Sequence, residues 1–119
     1  MSKTVVLGAS PDFSRYSYTC VKSLIRHGHE VVPVGKKDGK IEGIDILIDK
    51  PQILDVHTIT IYLSPDNQKE YYNYILELNP ARIIFNPGTH NQELIDLAKS
   101  KGIEVVTDCT LILLSSDMF

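Results

Sequence analysis

The 119-residue chain has no tryptophan, only two cysteines and no excess of basic residues. Cys20 and Cys109 are too few for a disulfide framework and lie in no Cys-x-x-Cys or Cys/His spacing typical of metal ligands. We therefore expect reduced thiols and no metal site. A formal net charge of -3 argues against nucleic acid as the main partner, because a phosphate backbone is normally bound by a concentrated basic surface. The basic residues that are present must act locally.

The sequence also has no long apolar run. Its beginning, MSKTVVLGAS, shows no basic segment followed by a long apolar one, so it predicts neither a secretory signal nor a transmembrane span. The apolar stretch LILL near the end is far too short to cross a membrane. We expect a cytoplasmic protein without a membrane partner.

What the chain does contain fits one domain over residues 1–119, with 43% hydrophobic and 23% charged residues. Continuous apolar runs alternate with amphipathic segments, as is typical of strands covered on both faces of a parallel sheet. These runs cover residues 4–8, 30–34, 57–63, 82–86 and 103–107. The pattern predicts a three-layer, Rossmann-like α/β domain whose doubly wound, mainly parallel sheet has about five strands in the order 3-2-1-4-5.

The first two predicted helices have clear limits. One covers residues 16–27, and Gly28 follows it as the residue that ends the helix. The other opens with Ser64 as N-cap and Pro65 at the first helical position, and Pro80 prevents its continuation. Both helices present an apolar stripe to the predicted sheet.

The third predicted helix begins at Thr89, with Gln92 three residues later as in a capping box, and runs to Gly102. Residues 35–56 are different because turn-forming residues interrupt their apolar pattern. An irregular crossover or a short helix is expected there in place of a full crossover helix.

The stretch VVLGASPDFSRYSY follows the first strand and carries the clearest chemistry. Gly8 allows a close backbone approach, and Ala9 and Ser10 are small enough not to block a ligand. The amides of the following helix start and the hydroxyls of Ser10 and Ser17 can donate to phosphate oxygens, which Arg15 can neutralise. The stretch predicts a diphosphate site. The alternative, in which Gly8 only permits a tight turn and Arg15 is a solvated charge, stays open at this point.

The end of the second strand, VPVGKKDGK, argues against NAD. A dinucleotide site has an acidic residue there for the ribose diol, whereas this chain has Lys36 and Lys37, and its glycine fingerprint is incomplete. Cations at this position favour a phosphorylated ribose. The alternative is that both lysines are solvated in a loop beside Asp38.

These segments together resemble the CoA-binding domain family, small stand-alone relatives of the nucleotide-binding domain in the alpha subunit of succinyl-CoA synthetase. The resemblance extends over VVLGASPDFSRYSY, EVVPVG, LSP, FNPGTHNQEL and GIEVVTDC, which is essentially the whole chain. It implies that the ligand is CoA or an acyl-CoA. It places the diphosphate of that ligand at Gly8, Ala9, Ser10, Arg15 and Ser17.

The resemblance also implies contacts for the rest of the ligand, each group following a strand. They are Gly35, Lys36 and Lys37 for the adenine and 3′-phosphoribose end, Leu63, Ser64 and Pro65 for the nucleotide or the start of pantetheine, and Pro87, Gly88, Thr89 and Asn91 for the further cleft. In the synthetase the phosphorylated histidine belongs to a separate domain, so we do not expect acyl-CoA synthesis by this chain alone.

No residue of the sequence is assigned a catalytic role. His90 is predicted on the ligand side of the sheet, but no side chain that would orient it as a base is identifiable. We predict a CoA-binding protein without an assigned reaction. Two alternatives stay open, an NADP-linked or other nucleotide-dependent enzyme and a ligand-sensing regulatory subunit, together with a homodimer or a partner enzyme subunit as the assembly.

Overall fold

The computed structural model describes residues 3–119 of the chain, and they form a layered α/β structure. Six strands make one parallel sheet and two more make a small hairpin. The strands are β1 Lys3–Leu7, β2 Glu30–Gly35, β3 Lys40–Ile41, β4 Ile44–Asp45, β5 Leu47–Ile48, β6 Thr58–Ile61, β7 Arg82–Phe85 and β8 Glu104–Thr107. The predicted fold class, a Rossmann-like doubly wound sheet, is confirmed.

Strand number and order differ from the prediction. The sheet has six strands in the order β5-β2-β1-β6-β7-β8, and every adjacent pair is parallel. The third predicted strand, residues 57–63, was expected beside residues 30–34. The part of this segment that forms a strand, β6, instead pairs with the other side of β1, because β5 already occupies the free edge of β2.

Of the two forms predicted for the crossover in residues 35–56, an irregular one and a short helix, the structure has the irregular one, which contains three two-residue strands. β3 and β4 form an antiparallel hairpin, and β5 then adds two residues to the main sheet. Ile41 and Ile46 from this segment are buried against the first helix, which fixes the hairpin to the rest of the molecule. Here tertiary burial selects the conformation over a weak local preference.

The helices are α1 Tyr16–Arg26, α2 Pro65–Gln68, α3 Tyr72–Leu78, α4 Gln92–Ser100 and α5 Thr110–Ser115. α1 ends as predicted, because Gly28 has a φ of 81° and the His29 amide donates to the Leu24 carbonyl at 3.1 Å. The predicted second helix is divided into α2, a 3₁₀ turn at Lys69–Tyr71 and α3. The short helix α5 was not predicted.

α4 begins later than predicted. Its N-cap is Asn91, whose side-chain oxygen accepts from the Leu94 amide at 3.2 Å. Thr89, the expected cap, instead donates its hydroxyl to the Asn86 carbonyl at 2.7 Å. The capping-box spacing from Thr89 to Gln92 is therefore coincidental.

The sheet is buried on both faces, as the continuous apolar runs predict. Along β1, Val5 and Leu7 belong to the cluster that includes residues of α3 and α4, whereas Val6 packs with α1 and α5. This arrangement leaves the carboxyl ends of the strands as the place where the loops can form a cleft. No helix within residues 3–119 is long and apolar enough to cross a membrane.

Candidate functional site

A cleft of about 730 Å³ opens where β1, β2, β6 and β7 end. It is lined by Gly8, Ala9, Ser10, Ser14, Arg15, Tyr16, Ser17, Gly35, Lys36, Lys37, Tyr62, Leu63, Ser64, Asn67, Tyr71, Pro87, Gly88 and Thr89. All the residues selected from the sequence line this cleft except Pro65 and Asn91. Segments that are far apart in the chain therefore converge on one site.

The cleft is cationic although the chain as a whole is acidic. Arg15, Lys36 and Lys37 line it, and no aspartate or glutamate is among the lining residues that the structure describes. The formal charge of the chain is -3. Such segregation of charge concentrates positive potential where an anionic ligand would bind.

Two glycines allow the backbone to fold tightly at the base of the cleft. Gly8 has a φ of 97°, and its amide and that of Ala9 both donate to the Val34 carbonyl at 2.9 Å. A Cβ on Gly35 would lie 2.1 Å from the Ala9 carbonyl oxygen, which is far inside van der Waals contact. The turn after β1 therefore rests directly on the end of β2, and only glycine fits at residue 35.

The loop between β1 and α1 is held by its own side chains. The Asp12 carboxylate accepts from the Ser14 amide at 2.9 Å and from the Ser14 hydroxyl at 2.7 Å, and the Asp12 amide donates to Ser10 Oγ at 3.1 Å. The hydrogen bonds from Ser14 hold the pKa of Asp12 below its ordinary value. These hydrogen bonds hold the loop in one conformation.

The start of α1 faces the cleft and has no side-chain cap. Arg15 is the N-cap residue in an extended conformation, and no side chain accepts from the first-turn amides. Ser17 lies in that first turn, is 3% exposed, and lines the cleft. An uncapped helix start with a hydroxyl beside it is suited to bind an anion.

Lys36 and Lys37 form the cationic end of the cleft. Lys36 Nζ lies 2.5 Å from Glu70 Oε1, and both side chains are largely exposed. The hydrogen bond and attraction between them raise the pKa of Lys36 and lower the pKa of Glu70. Lys37 has no ion-pair partner within 4 Å in the described part of the chain. From the sequence, Lys36 is the better candidate for a ligand contact, but in the structure Lys36 is the lysine that a carboxylate already engages.

The opposite wall of the cleft is fixed by buried hydrogen bonds around Asn86. Its amide nitrogen donates to Thr60 Oγ1 at 2.6 Å and to the Ile61 carbonyl at 2.8 Å, and its oxygen accepts from the Thr110 amide at 2.9 Å. Thr89 lines the cleft, but its hydroxyl donates to Asn86 as described above. The polar side chains of this wall already have hydrogen-bond partners within the protein, so the wall contributes mainly to the shape of the cleft.

Asn91 has a structural position. Its side-chain nitrogen donates to Gln68 Oε1 at 3.0 Å and to the Tyr72 hydroxyl at 2.8 Å, while its oxygen caps α4. Gln68 is fully buried and donates in turn to the carbonyls of Leu63 and Thr89. The side-chain nitrogen and oxygen of Asn91 are therefore both engaged in hydrogen bonds behind the cleft. Pro65 occupies the first position of α2 and likewise does not line the cleft.

Five lining residues were not predicted from the sequence: Ser14, Tyr16, Tyr62, Asn67 and Tyr71. Two of them were detectable, since Ser14 and Tyr16 lie within the stretch already singled out. Tyr62 and Tyr71 follow apolar patterns and read as core residues. Tyr62 is half-buried, and this burial raises the pKa of its hydroxyl.

Histidine and cysteine contribute nothing to the cleft lining. His90 is exposed and lies outside the lining, as does the half-buried Cys109. Cys20 belongs to α1, and its side chain is buried in the core. Within residues 3–119, no three His, Cys, Asp or Glu side chains are grouped so that they could hold a metal ion.

Comparisons with known proteins agree with this architecture. The model of a family described as the CoA binding domain matches residues 2–115. A crystal structure of an uncharacterised protein is 49% identical, with a TM-score of 0.98, and the match covers 100% of this chain and 98% of that one. The comparison with curated proteins returned no match.

Two more distant structures share the fold. One, cell-free ID.343 from Thermus thermophilus, is 24% identical with a TM-score of 0.84, and the match covers 99% of this chain and 90% of that chain. The other is a dinucleotide-forming acetyl-coenzyme A synthetase 1 from Ca. Korarchaeum cryptofilum, solved with phosphate and ADP. It is 20% identical with a TM-score of 0.71, and the match covers 90% of this chain but 25% of the synthetase chain.

Proposed function

Because the chain belongs to the CoA-binding domain family, we propose that its cleft binds CoA or an acyl-CoA. The observation that carries the proposal is the cleft's charge: Arg15, Lys36 and Lys37 line it without any carboxylate among the lining residues described. CoA carries a diphosphate and a 3′-phosphate, so its anionic groups match a site with cations in two places. The remaining lining residues are mostly small or neutral, as an extended ligand requires.

The first turn and the start of α1 would hold the diphosphate. Gly8 and Gly35 let this turn pack closely against its neighbours, since a Cβ on either would meet backbone atoms of the protein at 3.0 Å or less. The open amides at the helix start, the Ser17 hydroxyl and Arg15 supply neutral and charged donors. This donor set fits two linked phosphates.

The end of β2 would hold the phosphorylated ribose. Lys37 is the cation there without an ion-pair partner among the described residues, and Lys36 shares its charge with Glu70. No aspartate or glutamate is among the described residues that line the cleft here, whereas an NAD site has an acidic residue at this place to accept the ribose diol. Pro87, Gly88 and the buried wall around Asn86 leave a neutral path for pantetheine. The proposal is one of ligand binding and assigns no reaction.

The test is a calorimetric titration of ligand-free protein with CoA, dephospho-CoA, NADP and NAD. We expect CoA to bind with the highest affinity and dephospho-CoA to bind more weakly, because the loss of one phosphate removes a charge-assisted contact. Tighter binding of NADP than of CoA would replace the proposal with a nucleotide-dependent redox role. Binding of none of the four ligands would overturn it.

A further inference from the structure

Glu70 brings a negative charge to the edge of a cleft whose described lining residues include no aspartate or glutamate. It belongs to the 3₁₀ turn at Lys69–Tyr71 and approaches Lys36 from outside the cleft, with 2.5 Å between Oε1 and Nζ. A second cleft of about 380 Å³ lies on that side, lined by Lys36, Asp49, Lys50, Glu70 and Tyr71. Lys36 and Tyr71 line both clefts, so the ion pair stands at their junction.

We propose that Glu70 is a specificity-determining residue, which competes with the ligand's ribose phosphate for Lys36 and so sets how strongly the cleft prefers a phosphorylated ribose. The inference rests on the proposed binding of CoA. A phosphate that reaches Lys36 must either displace the Glu70 carboxylate or remain beside it, and like charges in proximity repel. A ligand with an unphosphorylated ribose meets neither cost.

The ion pair can open because it is exposed. The side chains of Lys36 and Glu70 are 63% and 48% exposed, and exposed ion pairs contribute little to stability. The competition is therefore modest. It changes affinity by about two- to fivefold, which is the range expected for an exposed ion pair.

A second cation is available to the displaced carboxylate. Lys50 lines the same second cleft as Glu70, and its ammonium lies 5.4 Å from the centre of the Tyr71 ring. Its attraction contributes to the lowered pKa of Glu70. On ligand binding, Glu70 would thus exchange Lys36 for Lys50 instead of remaining unpaired. The exchange would link occupation of the main cleft to the loop at residues 49–51.

The experiment compares CoA with dephospho-CoA, which differ only in the 3′-phosphate. Calorimetry measures the ratio of their dissociation constants for the wild type, for Glu70→Gln and for Glu77→Gln. Glu77 is exposed on α3 and lines neither of the two clefts, so its substitution removes the same charge elsewhere. We expect Glu70→Gln to tighten CoA by about two- to fivefold with little change for dephospho-CoA, and Glu77→Gln to leave the ratio unchanged.

The possible outcomes test the role of Glu70 and the binding of CoA separately. Wild-type binding of CoA with an unchanged ratio in Glu70→Gln would overturn the role of Glu70 and leave CoA binding intact. An equal gain for both ligands, or the same gain in Glu77→Gln, would assign the effect to net charge and also overturn it. Failure of both ligands to bind the wild type and Glu70→Gln would overturn the proposed function itself. Lys50→Met is expected to reduce the preference for CoA, and unchanged preference would remove Lys50 from the exchange.

Discussion

Arg15 occupies the position at which a single charge should matter most for binding. It is the N-cap residue of α1, lines the cleft, and has no carboxylate within 4 Å among the residues described. We expect Arg15→Ala to weaken CoA binding by about 1–3 kcal/mol, because a charge-assisted hydrogen bond to the diphosphate is lost. Calorimetry with CoA measures the change.

Arg26 offers a matched control for Arg15. It lies in the last turn of the same helix, is exposed, and does not line the cleft. Arg26→Ala removes the same charge from α1 and should leave CoA affinity within about twofold, as is usual for exposed sites. Equal losses in the two variants would show that α1 contributes only general electrostatic attraction.

Gly35 is the residue at which a single methyl group should be least tolerated. Its Cβ would be placed 2.1 Å from the Ala9 carbonyl oxygen, a backbone atom that cannot rotate away. Gly35→Ala should lower the free energy of unfolding by roughly 3 kcal/mol or more, as strain in a tightly packed region does. Urea denaturation followed by circular dichroism measures the loss.

Gly102→Ala provides the comparison for Gly35→Ala. Gly102 has a φ of 76° at the end of α4, but nothing lies within 4 Å of its added Cβ. Only the strain of a left-handed conformation remains, which costs about 1–2 kcal/mol. If both variants lose the same stability, the close approach at Gly35 is relieved by a local shift.

The two cysteines should differ in reactivity. Burial raises the pKa of Cys20 to about 12, whereas Cys109 is half-buried. At pH 8 the Cys20 thiol is therefore almost entirely protonated and shielded, so a disulfide reagent should modify one thiol of the native protein quickly. Cys109→Ser should abolish that fast phase. Rapid modification of Cys20 in this variant would contradict the burial of α1 against the sheet.

Individual residues also show what the sequence could predict about the site. Local chemistry was sufficient to select the residues of one short segment, the loop after β1 and the start of α1. They are Gly8, Ser10, Arg15 and Ser17. Tyr71 was not selected because its spacing fits a helix stripe, and the same side chain both packs in the core and borders the cleft. Whether a side chain is buried or lines the cleft depends on which distant segments pack around it. The local sequence pattern does not show which segments these are.

At the scale of elements, the C-terminal ends of α1 and α4 were predicted better than the start of α4 or the course of the second predicted helix. Gly28 and Gly102 end α1 and α4 through the expected left-handed conformation. The division between α2 and α3 was not predicted, because no proline or glycine marks it. In the structure Gln68 is buried at that point and bonds the carbonyls of Leu63 and Thr89, contacts that depend on tertiary structure.

The Asn86 side chain joins three elements, so its removal should destabilise the whole wall of the cleft. Its side chain bonds Thr60, Ile61 and the amide of Thr110, which connects β6, the end of β7 and α5. Asn86→Ala should lower the free energy of unfolding by about 2–4 kcal/mol, since buried polar groups are left without partners. Urea denaturation measures this change.

Asn73→Ala is the control for Asn86→Ala, because Asn73 is exposed on α3 and its loss should change stability by no more than about 0.5 kcal/mol. A loss at Asn86 as small as that at Asn73 would mean that water replaces the missing bonds. The wall of the cleft would then be more open than the hydrogen bonds indicate.

At the scale of the whole molecule, the fold class followed from the apolar pattern and the strand order did not. Continuous apolar runs predict a sheet covered on both faces, and β1 contributes side chains to both clusters. The order depends on β5, which has two residues and is partly exposed. A strand that short leaves no periodic signal, so the place next to β2 was assigned to the wrong segment.

The expectation of one domain predicts how the whole chain unfolds. Tyrosine fluorescence, undisturbed by tryptophan, and circular dichroism should report a single urea transition with the same midpoint. CoA at about 100 times its dissociation constant should raise the free energy of unfolding by about 2.7 kcal/mol. Separate midpoints for the two probes would indicate that part of the chain unfolds independently.

The contact between Gly35 and Ala9 has a consequence for redesign of this scaffold. Exchanging the loop after β2 is an obvious way to alter cofactor preference, since Lys36 and Lys37 lie there. Residue 35, however, supports the turn after β1 at a separation that excludes any side chain. A grafted loop must therefore keep glycine at its first position, or it will displace the turn after β1 while it changes the surroundings of Lys36 and Lys37. The turn after β1 and the end of β2 form one packed unit, so a redesign of ligand preference has to treat them together.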